Sequence, residues 1–102
     1  MKIFWTEPAV EDLRELHDYI ARDSQAYASR FVERLFSAVE RLSDHPKLGR
    51  LVPEANDDDI RELLYRSYRI IYRVTSRRVA VLAVIHGARD LGSRDPAPWD
   101  VE

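Results

Sequence analysis

Seven consecutive apolar residues, Val79-Ala80-Val81-Leu82-Ala83-Val84-Ile85, constrain this chain more than any other feature. A strand that is apolar on both faces belongs inside a sheet with cover on each side. The run just before it behaves differently. Tyr68, Ile70, Tyr72 and Val74 fall on one strand face, while Arg69, Ile71 and Arg73 fall on the other. Thr75-Ser76-Arg77-Arg78 is short enough to join the two runs as a hairpin, although it lacks a glycine. Ile60–Arg66 is a third run of the same kind, and Lys2–Trp5 a short first strand.

Between the first strand and the last three, the period changes. Ala9, Leu13, Leu16 and Ile20 recur at spacings of 4, 3 and 4, which is one helical face. Thr6 can cap that helix, and Pro8 is tolerated in its first turn, where amides have no intrahelical partner. Asp23 or Ser24 can cap a second helix. Its apolar face runs through Ala28, Phe31, Val32, Leu35, Val39 and Leu42 to about Ser43. His45-Pro46 ends it, because the residue before proline is pushed out of helical geometry. Leu48–Val52 is a short strand or an extended loop, and Glu54–Asp59 a solvated acidic connection. The expected architecture is α+β: β-α-α-β-β-β, with an antiparallel sheet packed by a helical hairpin. One domain spans residues 1–91, and residues 92–102 form a proline-containing tail.

Charge narrows the function classes. Residues 47–94 carry nine Arg and one Lys against six Asp/Glu, yet the chain's net charge is -2 and its pI about 5.9. That balance argues against binding nucleic acid through bulk charge. The absence of cysteine excludes disulfides and thiolate metal sites. Three consecutive aspartates, Asp57–Asp59, lack the alternate spacing and glycine of a calcium loop, so neither a metal nor another cofactor is expected. No signal-like or membrane-spanning stretch stands out, and the expected location is the cytoplasm.

The order and spacing of several pieces resemble the RelE/ParE toxin superfamily, the ParE branch in particular. They are A-V-E-D-L at 9–13, Tyr19-Ile20, the Phe31…Leu35…Leu42 helix and H-P-K-L-G-R at 45–50. R-E-L at 61–63, Y-R-I-I-Y-R-V at 68–74 and V-I-H-G-A-R-D at 84–90 complete them. The resemblance implies the toxin of a type II toxin–antitoxin module, silenced by the C-terminal segment of a cognate antitoxin in a hetero-oligomer. For ParE-like members it implies inhibition of DNA gyrase. For RelE-like members it implies ribosome-dependent cleavage of mRNA.

Candidate site residues follow. His86 and Arg89 would be the catalytic candidates of a ribonuclease, with His86 as acid or base. Arg61, Arg69 and Arg73 could then hold the phosphate. No second group tuned near neutral pH follows His86, so it reads first as a strand-end anchor or a contact residue. Arg61, Arg69, Arg73, His86 and Arg89 together form a candidate target-binding surface, with cross-strand pairing to residues such as Glu62 as the structural alternative. His17, Tyr19 and Tyr27 are candidates for receiving the antitoxin. Trp99 would fold back onto the stems of Arg69 and Arg73 if the tail docks. These features together favour a gyrase-binding inhibitor without catalytic chemistry of its own. The rivals are an mRNA endoribonuclease using His86 and a non-toxic member that keeps only its antitoxin-binding surface.

Overall fold

The computed structural model describes residues 1–87 and 96–100. Its elements are β1 (Lys2–Trp5), α1 (Glu7–Ala21), α2 (Gln25–Glu40), β2 (Arg50–Leu51), β3 (Ile60–Tyr65), β4 (Tyr68–Val74) and β5 (Arg78–His86). The strands form one sheet in the order β1-β5-β4-β3-β2. All neighbouring pairs are antiparallel except β1 with β5, which is parallel. A parallel pair needs a long crossover, and the helical hairpin provides it.

Each helix begins where a side chain can satisfy a free amide. Thr6 Oγ1 accepts from the Ala9 amide at 3.4 Å, and Ser24 Oγ accepts from the Tyr27 amide at 3.1 Å. Thr6 also donates to the Val81 carbonyl at 2.8 Å, so the residue that starts α1 also ties it to β5. The α2 helix stops at Glu40, and its last turn tightens into a 3-10 turn over Arg41–Ser43 before His45-Pro46. The glycine-free hairpin between β4 and β5 is organised by Thr75. Its hydroxyl oxygen lies 3.2 Å from the Arg78 amide and its amide 3.0 Å from the Arg78 carbonyl.

The two faces of the sheet are covered differently. On the helical face Ala9, Phe31, Leu35, Val39 and Leu42 meet Leu63, Ile70, Tyr72, Val79, Val81 and Val84. On the other face Ile60, Ile71, Ala80, Leu82, Ala83 and Ile85 cluster with Val52, Ala55 and Trp99. The second face is thus roofed by the 50s segment and the tail, which explains why 79–85 is apolar throughout. A register shift between Ile71 and Tyr72 pairs Tyr72 with Val81 and Ile71 with Ala83. Leu82 is the extra residue of a β-bulge, and Leu82 and Ala83 both join the second cluster.

The tail does return to the sheet, but not as a ring stacked on guanidinium. Arg73 Nη2 donates to the Trp99 carbonyl at 2.9 Å, while the indole packs among the apolar residues. Pro98–Asp100 form a single 3-10 turn there. Replacing Trp99 with Ala should lower the unfolding free energy by about 2 kcal/mol, less than for a fully enclosed tryptophan. Urea unfolding followed by circular dichroism measures this, and an unchanged midpoint would mean that the tail is not part of the roof.

Candidate functional site

Directly paired residues of neighbouring strands share a sheet face, so the register assigns every candidate to a side. Arg73 lies opposite Ile60 and Ala80, and Arg69 opposite Leu64 and Ile85. Both arginines are therefore on the second face. Arg61 lies opposite Tyr72, and His86 opposite Tyr68, which places both on the helical face. The five proposed target-contacting residues do not form one strip. Arg69 and Arg73 point one way, Arg61 and His86 the other, and Arg89 lies outside the described residues.

The second-face arginines are engaged by carboxylates. Glu62, with a fully buried side chain, accepts from Arg50 Nε at 2.8 Å and from Arg69 Nε. The outer nitrogens of Arg69 reach both oxygens of Glu54, each at 3.1 Å. Arg73 lies 3.5 Å from Asp57. Hydrogen bonding to Arg69 holds the Glu54 carboxyl below its usual pKa, and the same pair raises that of Arg69. The cross-strand pairing with Glu62 is thus present. The acidic 54–59 segment is not simply a solvated connection, because its Glu54 and Asp57 reach back to β4.

Arg61 has a different task. Its Nη1 donates to the Gly49 carbonyl at 2.8 Å, and the Gly49 amide donates to the buried Tyr72 hydroxyl at 2.9 Å. Burial pushes the Tyr72 phenol above its ordinary pKa. A Cβ at position 49 would sit 2.6 Å from the Tyr72 hydroxyl and closer still to the Glu62 carbonyl oxygen. The H-P-K-L-G-R stretch therefore needs its glycine for a close backbone approach.

At the other end of the sheet, aromatic rings run from the helical hairpin to His86. Tyr27 meets Phe31 at 6.3 Å between ring centroids, and Phe31 meets Tyr65 and Tyr68 at 5.6 and 5.7 Å. Tyr68 meets His86 edge-on at 5.4 Å. Burial raises the Tyr68 pKa, and neighbouring Tyr19 and Tyr27 raise it further. Tyr19 and Tyr27 remain 66% and 46% exposed. A hollow of about 590 Å³ between α1 and the end of β5 is lined by Asp12, Leu16, Tyr19, Tyr68, Val84 and His86, among others. Asp12 Oδ2 accepts from the Val84 amide at 3.0 Å, serving β5 beyond the point where β1 ends. His17 does not line the hollow itself, but its Nδ1 lies 3.4 Å from Asp18, which does. A second, shallower hollow of about 360 Å³ holds Arg50, Arg66, Arg69 and His86 around the β3–β4 turn. Arg66 sits in that turn at φ 53°, a left-handed conformation that is unusual for arginine.

The structure brings Tyr19 and His86, two of the residues singled out from the sequence, to one hollow, and it ties Arg50, Glu54 and Asp12, which were not singled out, to the sheet. Glu62, already named from the sequence as a cross-strand partner, lies two residues from Ile60 in an alternating strand and so faces the same side. Among the described residues no group of three or more His, Asp or Glu could hold a metal ion, and no helix is long and apolar enough to cross a membrane.

Residues 3–91 match the family described as "ParE toxin of type II toxin-antitoxin system, parDE". The chain belongs to the ParE toxin family, within the RelE/ParE superfamily of type II toxins. This ParE-family chain is 34% identical over 89 residues to toxin RelE2 of Caulobacter vibrioides, covering 86% of itself and 97% of that protein. Its fold is similar to a chain of the chromosomal ParDE toxin–antitoxin system from P. aeruginosa, with a TM-score of 0.71 and 24% identity. The similarity covers 84% of this chain and 95% of that one. A chain of the RelBE2 toxin–antitoxin complex from Mycobacterium tuberculosis has a TM-score of 0.56 at 22% identity, covering 83% and 95%.

The lowered pKa of Glu54 fixes the sign of a pH effect. A carboxyl whose folded-state pKa is depressed contributes stability above its unfolded pKa and loses it as pH falls through the folded value. The Glu54–Arg69 pair should therefore contribute fully at neutral pH and lose that contribution progressively as pH falls below the ordinary carboxylate range. Because Glu54 is partly exposed, Glu54→Gln should cost no more than about 1 kcal/mol at pH 7. Parallel urea titrations at pH 7 and pH 3 should show the gap between parent and variant closing at the lower pH. A constant gap would contradict the pairing.

Proposed function

We propose that this ParE-family toxin inhibits DNA gyrase by direct contact, without cleaving RNA, and that the C-terminal segment of a cognate antitoxin silences it. One observation carries the non-catalytic part. The residues that an RNA-cleaving centre would need are divided between two sheet faces, and the second-face arginines are already engaged by Glu54, Glu62 and Asp57. Cleavage by a ribose hydroxyl needs an acid and a base on opposite sides of one phosphate, with cations free to receive its charge. Membership of the ParE family supports gyrase as the target.

The antitoxin partner is supported by the fold, which is similar to toxins of two toxin–antitoxin systems. On this chain the exposed Tyr19 and Tyr27 and the hollow beside β5 are the surface best suited to a folding peptide segment. Aromatic side chains offer large contact area with few rotamers to freeze. A segment seated there would cover His86 as well. A second reading, mRNA cleavage in the ribosome, rests on His86 and Arg69 lining one hollow.

Gyrase supercoiling of relaxed plasmid tests the first reading. Purified toxin should inhibit the reaction and accumulate linear DNA. Undisturbed supercoiling at a large molar excess of folded protein would remove gyrase as the target. His86→Ala separates the two chemistries: growth inhibition on expression should persist in the variant. Its loss, with the circular dichroism spectrum unchanged, would transfer the function to catalysis.

A further inference from the structure

On the second sheet face Arg50, Arg69 and Arg73 are paired with Glu54, Glu62 and Asp57. The carboxylates are not equivalent. Glu62 comes from the middle of β3 and its side chain has no exposure, so it belongs to the sheet. Glu54 and Asp57 come from the connection between β2 and β3, and their side chains are 35% and 39% exposed. Glu54 presents both oxygens to the two outer nitrogens of Arg69. That fork accepts a carboxylate or a phosphate with the same geometry. Asp57 approaches the outer Nη1 of Arg73, four residues along the strand and about 13 Å away by strand rise.

The connection is anchored to present these groups. Val52 is buried in the second-face cluster, with Ala55 packed against it, on either side of Glu54. Asn56 takes a left-handed conformation at φ 50°, which asparagine tolerates. Asp57 Oδ1 accepts from the Asp59 amide at 2.9 Å, fixing the turn into β3. Without Glu54 and Asp57, the guanidinium groups of Arg50, Arg69 and Arg73 would have only the buried Glu62 as a carboxylate partner among the described residues.

We propose that the 54–59 segment is an internal counter-anion, in which Glu54 and Asp57 occupy the places on Arg69 and Arg73 that phosphates of a nucleic acid would take, and so keep this face from binding RNA. The segment is an autoinhibitory contact against polyanions. It explains how residues 47–94, with ten Lys/Arg against six Asp/Glu, can avoid forming a track for polyanions. The inference rests on the geometry of the pairs and stands whether or not gyrase is the target, since the supercoiling assay uses the unaltered chain.

The test uses the full-length protein and fluorescence anisotropy with a labelled single-stranded RNA of about 20 nucleotides, a length that spans more than one typical single-strand site. Three proteins are compared over a range of salt: the parent, Glu54→Gln/Asp57→Asn, and Glu33→Gln/Glu40→Gln. The last pair removes the same two negative charges from exposed positions on α2. The Glu54/Asp57 variant should bind about tenfold tighter than either of the others, with a steeper fall in affinity as salt rises. Adding Arg73→Gln to it should remove much of the gain. Equal affinity of the two double variants, with native circular dichroism in both, would overturn the proposal. So would parent protein that already binds as tightly as the unmasked variant.

Discussion

A carboxylate with no exposure to solvent lies between two guanidinium groups on the second sheet face, and the arrangement of that face depends on it. Glu62 links β2 to β4 through Arg50 and Arg69. Taking a carboxylate out of water costs several kcal/mol unless its lone pairs are met, so the three side chains are ordered together or not at all. Once Arg69 is held by Glu62, its outer nitrogens face the connection between β2 and β3, and Glu54 closes onto them. The same register brings Gly49 against Tyr72 on the opposite face, where Arg61 clasps the Gly49 carbonyl. The two-residue strand β2 is thereby fastened from both sides of the sheet.

This ordering has a functional consequence. The charges of Arg50, Arg69 and Arg73 on the second face are met by carboxylates within the molecule, while the helical face ends in exposed tyrosines beside a hollow that includes His86. The chain thus offers protein-like recognition features, namely aromatic anchors and a concave edge, more than a cationic track. That division fits a toxin that works through contact and is silenced by a folding peptide segment. It fits poorly with phosphate chemistry, which needs cations free of internal partners.

Much of the fold was legible in the sequence because it rests on period and capping. The spacing of Ala9, Leu13, Leu16 and Ile20 placed α1, and the alternation through Tyr68–Val74 placed β4 with the correct residues on the core side. Ser24 and Thr6 marked the helix starts. What period cannot supply is the relation between strands. Within β4, Arg69 and Arg73 were correctly set on one face, but the side to which Arg61 or His86 turns depends on pairing register. The bulge at Leu82 also depends on tertiary packing, since two consecutive residues turn to one side to fill space under Val52 and Trp99. The acidic segment was misjudged for a related reason. A run of Asp and Glu looks solvated until arginines distant in sequence are brought beneath it.

The central claim is that Glu62 and Arg69 are ordered as a unit, and a double-mutant cycle on stability tests it most directly. Glu62→Leu, Arg69→Met and the double variant would be unfolded in urea at pH 7. Each single change should cost about 2 kcal/mol or more, because it removes a buried partner and leaves Glu62 with Arg50 alone or Arg69 with Glu54 alone. The double variant should cost less than the two together, with a coupling of about 2 kcal/mol. Single costs below about 1 kcal/mol that simply add would contradict the account, because side chains that contribute independently to this face could not organise it.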